Sequence, residues 1–381
     1  MLIGALAVLV TGQISILNAV AAINTDVMLF LFGMFIVGEA LTKSGYLSVF
    51  SHRFLSHART PGHLIFFILF GAGFLSALLM NDTLAIIMTP LVLMLAKEFR
   101  ISPELMLLSL AIAVTTGSVM SPIGNPQNLL IAVNSGIATP FVTFGRYLFI
   151  PTLICMGLSW FVLKKFYPRD FACRTLEHKQ NPIFHTRSVF AVQCALAVIL
   201  FLVVINIITS IHGGTIMIPL PLIAISAAVP VMLGTKDRTG LLLSLDWHTL
   251  VFFAAMFVLM ASVWETGFFQ LFLDEEKIRS VPMILGTSVF LSQFISNVPF
   301  VALVQPMILK AGGTTVELMA LAAGSTIAGN LTILGAASNV IIIQNAEKQG
   351  HTLSFFEFAR VGVPVTIIQM IVYGVFLMLP V

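Results

Sequence analysis

Residues 121–128 read SPIGNPQN, and they sit inside an apolar run, 104–134, that is too long for one plain membrane span. Pro122, Gly124, Asn125, Pro126 and Asn128 all disfavour helix at that place. In lipid, each unpaired backbone group costs several kcal/mol. A chain that puts a helix breaker there must supply protein partners for the freed backbone.

The surroundings are those of an integral membrane protein. The chain is 58% hydrophobic and 9% charged, against roughly 25% charged in a soluble domain. The apolar runs approach 20 residues and lack alternating polarity, which selects helices over a lipid-facing barrel. They cover 1–21, 24–43, 61–80, 82–96, 104–134, 140–163, 189–209, 214–233, 248–272, 281–296, 298–311, 315–345 and 354–380. Two adjacent pairs, 61–80 with 82–96 and 281–296 with 298–311, meet at a polar tip with no loop between them. They read as hairpins that enter the membrane and leave on the same side. On that topology Arg53, Arg59, Lys97, Arg100, Lys236, Arg238 and the basic loop 168–188 share one side, which the positive-inside rule makes cytoplasmic. The expected location is the plasma or inner membrane.

The second half echoes the first. FLSALLMNDTLAIIMTP (74–90) pairs with FLSQFISNVPFVALVQP (290–306), with Phe74, Leu75, Ser76, Asn81 and Pro90 recurring at an offset of 216. SGYLSVF (44–50) pairs with TGFFQLF (266–272). Gly124, Asn128 and Asn134 match Gly335, Asn339 and Asn345. The order helix, hairpin, broken helix, final helix thus occurs twice, in 1–167 and in 189–381, with one extra helix at 189–209. Because the hairpins open from opposite sides, the repeats are inverted. Interrupted helices in inverted repeats are the build of secondary transporters, which bind at the repeat interface.

Four polar clusters are the candidate site: Asn81-Asp82-Thr83, the break with Gly124, Asn125 and Asn128, Ser296-Asn297, and the break with Gly335, Ser338 and Asn339. Half-helix N-termini suit an anion. Asn and Ser oxygens with unwound carbonyls suit Na⁺, with Asn81, Asp82, Asn128, Asn297 and Asn339 as its candidate ligands. Asp82 is an ionisable group deep in an apolar hairpin, which is a functional feature by default; it also fits as the cap of the second arm, with that arm starting at Thr83. Its repeat partner is Val298. Glu39 precedes Lys43 by four residues and is expected to pair with it. Arg146 and Arg360 occupy matching places, and Cys155, Cys173 and Cys194 have no metal-ligand spacing. The chain has no GxxxxGK[ST] loop, no recognisable nucleophile–base set and no resident cofactor is called for. It reads as a transporter rather than an enzyme or a nucleic-acid binder. A separate nucleotide-hydrolysing subunit is not indicated.

At the tips MNDT and ISNV and the breaks SPIGNPQN and LGAASN, the chain resembles the ion transporter superfamily. That group includes divalent anion/sodium symporters, citrate–metal–proton transporters, arsenite permeases and NhaD-type antiporters. The divalent-anion symporters carry Ser-Asn-Thr at both tips, so Asn81, Ser296 and Asn297 carry over as binding residues. The Asp after Asn81 is closer to the arsenite permease and antiporter branches. The resemblance implies an all-α elevator transporter, often a homodimer, in which 62–134 and 281–345 move together and the other helices stay put. The function expected is coupled movement of a small anion, an inorganic oxyanion or arsenite-like species or a small carboxylate, with Na⁺ or H⁺. The alternative is a Na⁺/H⁺ antiporter that uses Asp82 and binds no anion.

Overall fold

The computed structural model describes residues 1–46, 49, 57–172, 189–214, 217–267 and 280–379. The described residues are helical, with no strand among them. Most of the loop 168–188 and most of the 44–50 and 266–272 pairing lie outside the described residues.

The first half contains α1 (Leu2–Val10), α2 (Ile16–Ala22) and α3 (Thr25–Ser44). A hairpin follows, α4 (Pro61–Ser76) and α5 (Asn81–Phe99), with a π-helical turn at Ile68–Ala72 inside α4. The broken helix is α6 (Pro103–Ser118) and α7 (Pro126–Asn134), and α8 (Pro140–Phe166) closes the half. The second half begins with α9 (Val189–Ile211), α10 (Leu220–Gly234), a short α11 (Arg238–Leu243) and α12 (Trp247–Glu265). Its hairpin is α13 (Val281–Ile295) and α14 (Asn297–Lys310). Its broken helix is α15 (Thr315–Ile327) and α16 (Ala337–Glu347), and α17 (Phe355–Met378) ends the chain. Capping boxes at Thr314/Glu317 and Ser354/Glu357 start α15 and α17, satisfying N–H groups that a helix start leaves unpaired. Among the described residues, five helices are long and apolar enough to cross a membrane, namely α3, α8, α9, α12 and α17. The hairpin arms and half-helices are shorter.

Three sequence expectations need correction. The run 1–21 is not one helix: Gly12 has positive φ (71°), and Ser15 caps a new start by accepting from Asn18 N–H at 3.1 Å. The run 214–233 becomes helical only at Leu220, after Pro219. Helix α11 was not expected; Asp237 caps it by accepting from Gly240 N–H at 2.8 Å. The Glu39–Lys43 pair forms at 3.4 Å.

The helices pack in two groups, joined by contacts of α3 with α5 and α7, of α12 with α14 and of α8 with α9. In one, α3 lies on α9, α10 and α11, while α12 lies on α1, α2 and α3. In the other, the hairpins and broken helices pack together, with α5 on α16 and α14 on α7. Helices α8 and α17 pack on each other and on this second body. The close crossing inside it is set by glycine: a Cβ on Gly117 of α6 would stand 2.2 Å from the Gly73 carbonyl oxygen of α4. Gly117→Ala is therefore expected to lower the melting temperature in detergent, by the few kcal/mol that overpacking costs, about 1–3. Gly286→Ala, where an added Cβ meets nothing within 4 Å, is the control and should be neutral or mildly stabilising.

Candidate functional site

The tips and breaks meet around one cavity of about 350 Å³. It is lined by Asn81 and Asp82 of the first tip, Pro126 and Gln127 at the start of α7, and Ser296, Asn297 and Val298 of the second tip. Ala336, Ala337 and Ile341 line it at the start of α16, and His248, Thr249, Phe252 and Phe253 close it from the first turns of α12.

Each tip turns on one strained residue. Met80 has φ 51° and ψ 134°, and Ser296 has φ 67° and ψ 162°. These residues are equivalent at the offset of 216, and neither is glycine. Such backbone costs about 1–3 kcal/mol and survives only where its surroundings impose it, commonly at ligand clamps. The first tip is tied to the first break: Asn81 N–H donates to the Gly124 carbonyl at 2.9 Å.

Helix starts dominate the electrostatics. The N-termini of α5, α7, α14 and α16 all point their first residues at the cavity, as does that of α12. Those of α5, α14 and α16 carry no side-chain cap. Among the lining residues there is no Lys or Arg, and Asp82 is the one carboxylate. That carboxylate makes no hydrogen bond or ion pair among the described residues; only the Asp82 backbone N–H is engaged, donating to Asn81 Oδ1 at 3.0 Å.

The other residues singled out in the sequence lie behind this wall. The Asn128 amide donates to the carbonyls of Ser118 (3.1 Å), Val119 (3.2 Å) and Ser121 (3.0 Å). Its Oδ1 accepts from Thr326 Oγ1 at 3.2 Å. Asn125 caps α7 by accepting from Asn128 N–H at 2.9 Å, and its own amide donates to Ser118 Oγ at 2.9 Å. Both side chains are therefore consumed in bracing the break. Asn339 does the same in the second half, donating to the Gly329 carbonyl at 2.6 Å. Gly124 and Gly335 allow each chain to fold back on itself: a Cβ there would lie 2.6 Å from Ser118 O and 2.4 Å from Ala328 O. Thr83 faces Gly38 of α3, whose added Cβ would touch its hydroxyl at 3.0 Å. Ser338 is buried with an unpartnered hydroxyl.

Several participants were missed in the sequence. Gln127, His248 and Thr249 line the cavity, and Thr326 is the hub that accepts from Asn125 (3.3 Å) and Gln127 (3.4 Å). Thr326 had a signal: it stands 211 residues after Thr115, the offset that relates Asn128 to Asn339. Gln293 is another, donating to the Ala328 carbonyl at 2.9 Å and accepting from Thr332 at 2.7 Å, so that it joins the second hairpin to the second break.

Asn128→Ala removes the donor to three buried carbonyls and should cost about 1–3 kcal/mol of stability. Asp82→Asn should leave the melting temperature in substrate-free detergent unchanged, because Asp82 holds nothing together.

Comparison with known proteins agrees with this architecture. The citrate transporter family matches residues 1–317. The 46 kDa membrane protein of Mycobacterium leprae is 24% identical, over 94% of this chain and 86% of its own. The silicon efflux transporter LSI3 of Oryza sativa subsp. japonica is 27% identical, over 96% and 89%. Among solved structures, the Alcanivorax borkumensis YdaH transporter superposes with a TM-score of 0.59 at 17% identity, covering 94% of this chain and 86% of that one. Neisseria gonorrhoeae MtrF gives 0.54 at 14%, covering 98% and 83%.

Proposed function

The chain belongs to the citrate transporter family, and on that premise we propose that it is a secondary active transporter that carries a small anion together with a cation. The observation that supports the anion is the convergence of uncapped helix N-termini on a cavity without Lys or Arg. Each N-terminus carries roughly +0.5 elementary charge; in α5 the first two N–H groups are already engaged, with the Gly124 carbonyl and Asn81 Oδ1. The substrate class is a small carboxylate, as the family's description suggests, or an inorganic oxyanion; the rice relative is named for silicon.

The second break supplies the features expected of a cation site. At the first break, Thr326 Oγ1 of the second half donates to Asn128 Oδ1. The equivalent pair at the second break is Thr115 of the first half with Asn339, and there both oxygens lack partners, as do Ser338 Oγ and Asn297 Oδ1. Thr115 lies beside Gly329, whose carbonyl accepts from Asn339. Buried oxygens at an unwound helix suit Na⁺ as cargo, and Asp82 across the cavity supplies the balancing charge or carries a proton. Asn128 then acts by positioning the break, not as a ligand.

The carriage is an elevator in this reading. Helices α8 and α17 travel with the hairpins and broken helices, because they pack on that body; the moving part is larger than 62–134 and 281–345. Helices α1, α2, α3 and α9 to α12 form the scaffold, with the basic loops in the cytoplasm.

The test is uptake into proteoliposomes under an imposed Na⁺ or H⁺ gradient, screened over citrate, smaller carboxylates, silicate, arsenite, sulfate and phosphate. Gradient-driven uptake of one anion is expected, and Asp82→Asn should abolish it. Na⁺ flux driven by a pH gradient with no anion requirement would replace this reading by a Na⁺/H⁺ antiporter. Thr115→Val should raise the Na⁺ concentration for half-maximal uptake severalfold; an unchanged value places the cation elsewhere.

A further inference from the structure

Among the described residues, one side-chain hydrogen bond crosses between the two bodies: Asn24 Nδ2 donates to Asn134 Oδ1 at 2.7 Å. One cation–π contact also crosses, from Lys310 to Trp264 at 4.7 Å. Thr83 of α5 also lies against Gly38 of α3. Asn24 is held in place as the cap of α3, because its Oδ1 accepts from Val27 N–H at 2.9 Å. That leaves its amide nitrogen to reach Asn134, the last residue of α7. Helix α7 starts at the central cavity, so it is a rigid rod, about 13 Å at 1.5 Å per residue, between the binding site and this contact. Gln305 of α14 donates to the Ile131 carbonyl at 3.2 Å and binds the hairpin to the same rod.

The repeat gives this contact a twin. Asn134 corresponds to Asn345, near the end of α16, at the offset of 211 that relates the breaks. Asn24 corresponds to Asp246 at an offset of 222. The same offset relates Gly45 to Gly267, which follow α3 and α12 with φ of 65° and 70°. Asp246 caps α12 as Asn24 caps α3, accepting from Thr249 N–H at 3.0 Å. In this structure the twin contact is open. Helix α7 packs on α3, whereas α16 makes no comparable packing on α12, and the central cavity lies between the starts of α16 and α12. The Asn345 amide nitrogen donates to nothing among the described residues; its Oδ1 accepts from Lys348 at 3.4 Å.

We propose that the two contacts are alternating latches: Asn24–Asn134 holds the state seen here, and Asp246–Asn345 forms when the carrier has moved to the other side. This rests on the two-body elevator reading and adds the residues that define its end states. The chemistry is consistent, since Asn345 would donate its amide to the Asp246 carboxylate, while Asn134 accepts from Asn24. One latch must break before the other closes, so an intermediate has neither.

The experiment uses full-length protein in proteoliposomes, with Cys155, Cys173 and Cys194 replaced by Ala. Two cysteine pairs are made, Asn24→Cys with Asn134→Cys, and Asp246→Cys with Asn345→Cys. A short reducible bifunctional thiol reagent should cross-link both in actively transporting protein, stop transport in each case, and release it on reduction. Milder variants guard against misfolding of the cap substitutions. With Ala337→Cys as a reporter on the cavity wall, Asn134→Ala should slow its labelling by an impermeant maleimide from the basic side. Asn345→Ala should speed it. Each change is expected to be roughly fivefold, the shift one ordinary hydrogen bond produces. If the Asp246/Asn345 pair never cross-links, or if Asn134→Ala and Asn345→Ala shift labelling in the same direction or not at all, the latches are refuted. The cysteine-free parent separates this from the transport reading: no gradient-driven uptake by the parent would refute the latter instead.

Discussion

Everything at the centre of this protein follows from the cost of unpaired backbone in a dry, apolar surrounding. Between Ser118 and Pro126 the chain leaves helix and frees several carbonyls. Three of them are met by one side chain, the Asn128 amide. For that amide to reach, the chain must double back so tightly that Gly124 sits against the Ser118 carbonyl. Asn339 and Gly335 repeat the solution against Gly329 and Ala328. Once each break is braced, the two half-helices that follow are aimed at one point. The tips then close the space at the expense of strained backbone at Met80 and Ser296. The cavity's shape is thus a by-product of satisfying the backbone, and the two asparagines that brace the breaks, Asn128 and Asn339, are not among the residues that line it.

That separation marks the limit of what the sequence reveals. The four polar clusters were legible because Asn, Gly, Pro and Ser stand out against apolar runs, and because they recur in order. The structure brings both tips to one cavity, where the breaks contribute Pro126, Gln127, Ala336 and Ala337 rather than the glycines and asparagines singled out in the sequence. Which asparagine faces the ligand was not legible. Asn81 and Asn128 are the same residue type in similar apolar company, yet one lines the cavity and the other donates to carbonyls. Only the direction of the side chain separates them, and that depends on a backbone path with no period to read. His248 and Thr249 were invisible for another reason. They look interfacial in the sequence and reach the cavity only because α12 starts beside it. The splitting of 1–21 became meaningful only beside the second half, where α10 and α11 are likewise two pieces before a long helix.

The two halves match more closely in their order of elements than in chemistry. Offsets of 216 and 211 align tips and breaks, but Asp82 faces Val298 across the repeat, and the Thr326–Asn128 bond has no counterpart at Thr115 and Asn339. The first break is closed and the first tip carries the negative charge; the second break is open, with unpartnered oxygens on Ser338 and Asn339 and on Thr115 of the first half. On the proposed reading this division has an electrostatic consequence. A cation among the neutral oxygens of the second break offsets Asp82. A bound monoanion is then left to the helix N-termini, roughly +0.5 charge each. A carrier with both cargoes is close to neutral, while one holding the anion alone sets two negative charges in one small cavity. Moving the latter past apolar scaffold is opposed by desolvation that no nearby Lys or Arg relieves. Coupling in such a protein needs no dedicated gate for each ion. It follows from which combinations of charge the seam between the two bodies allows to pass.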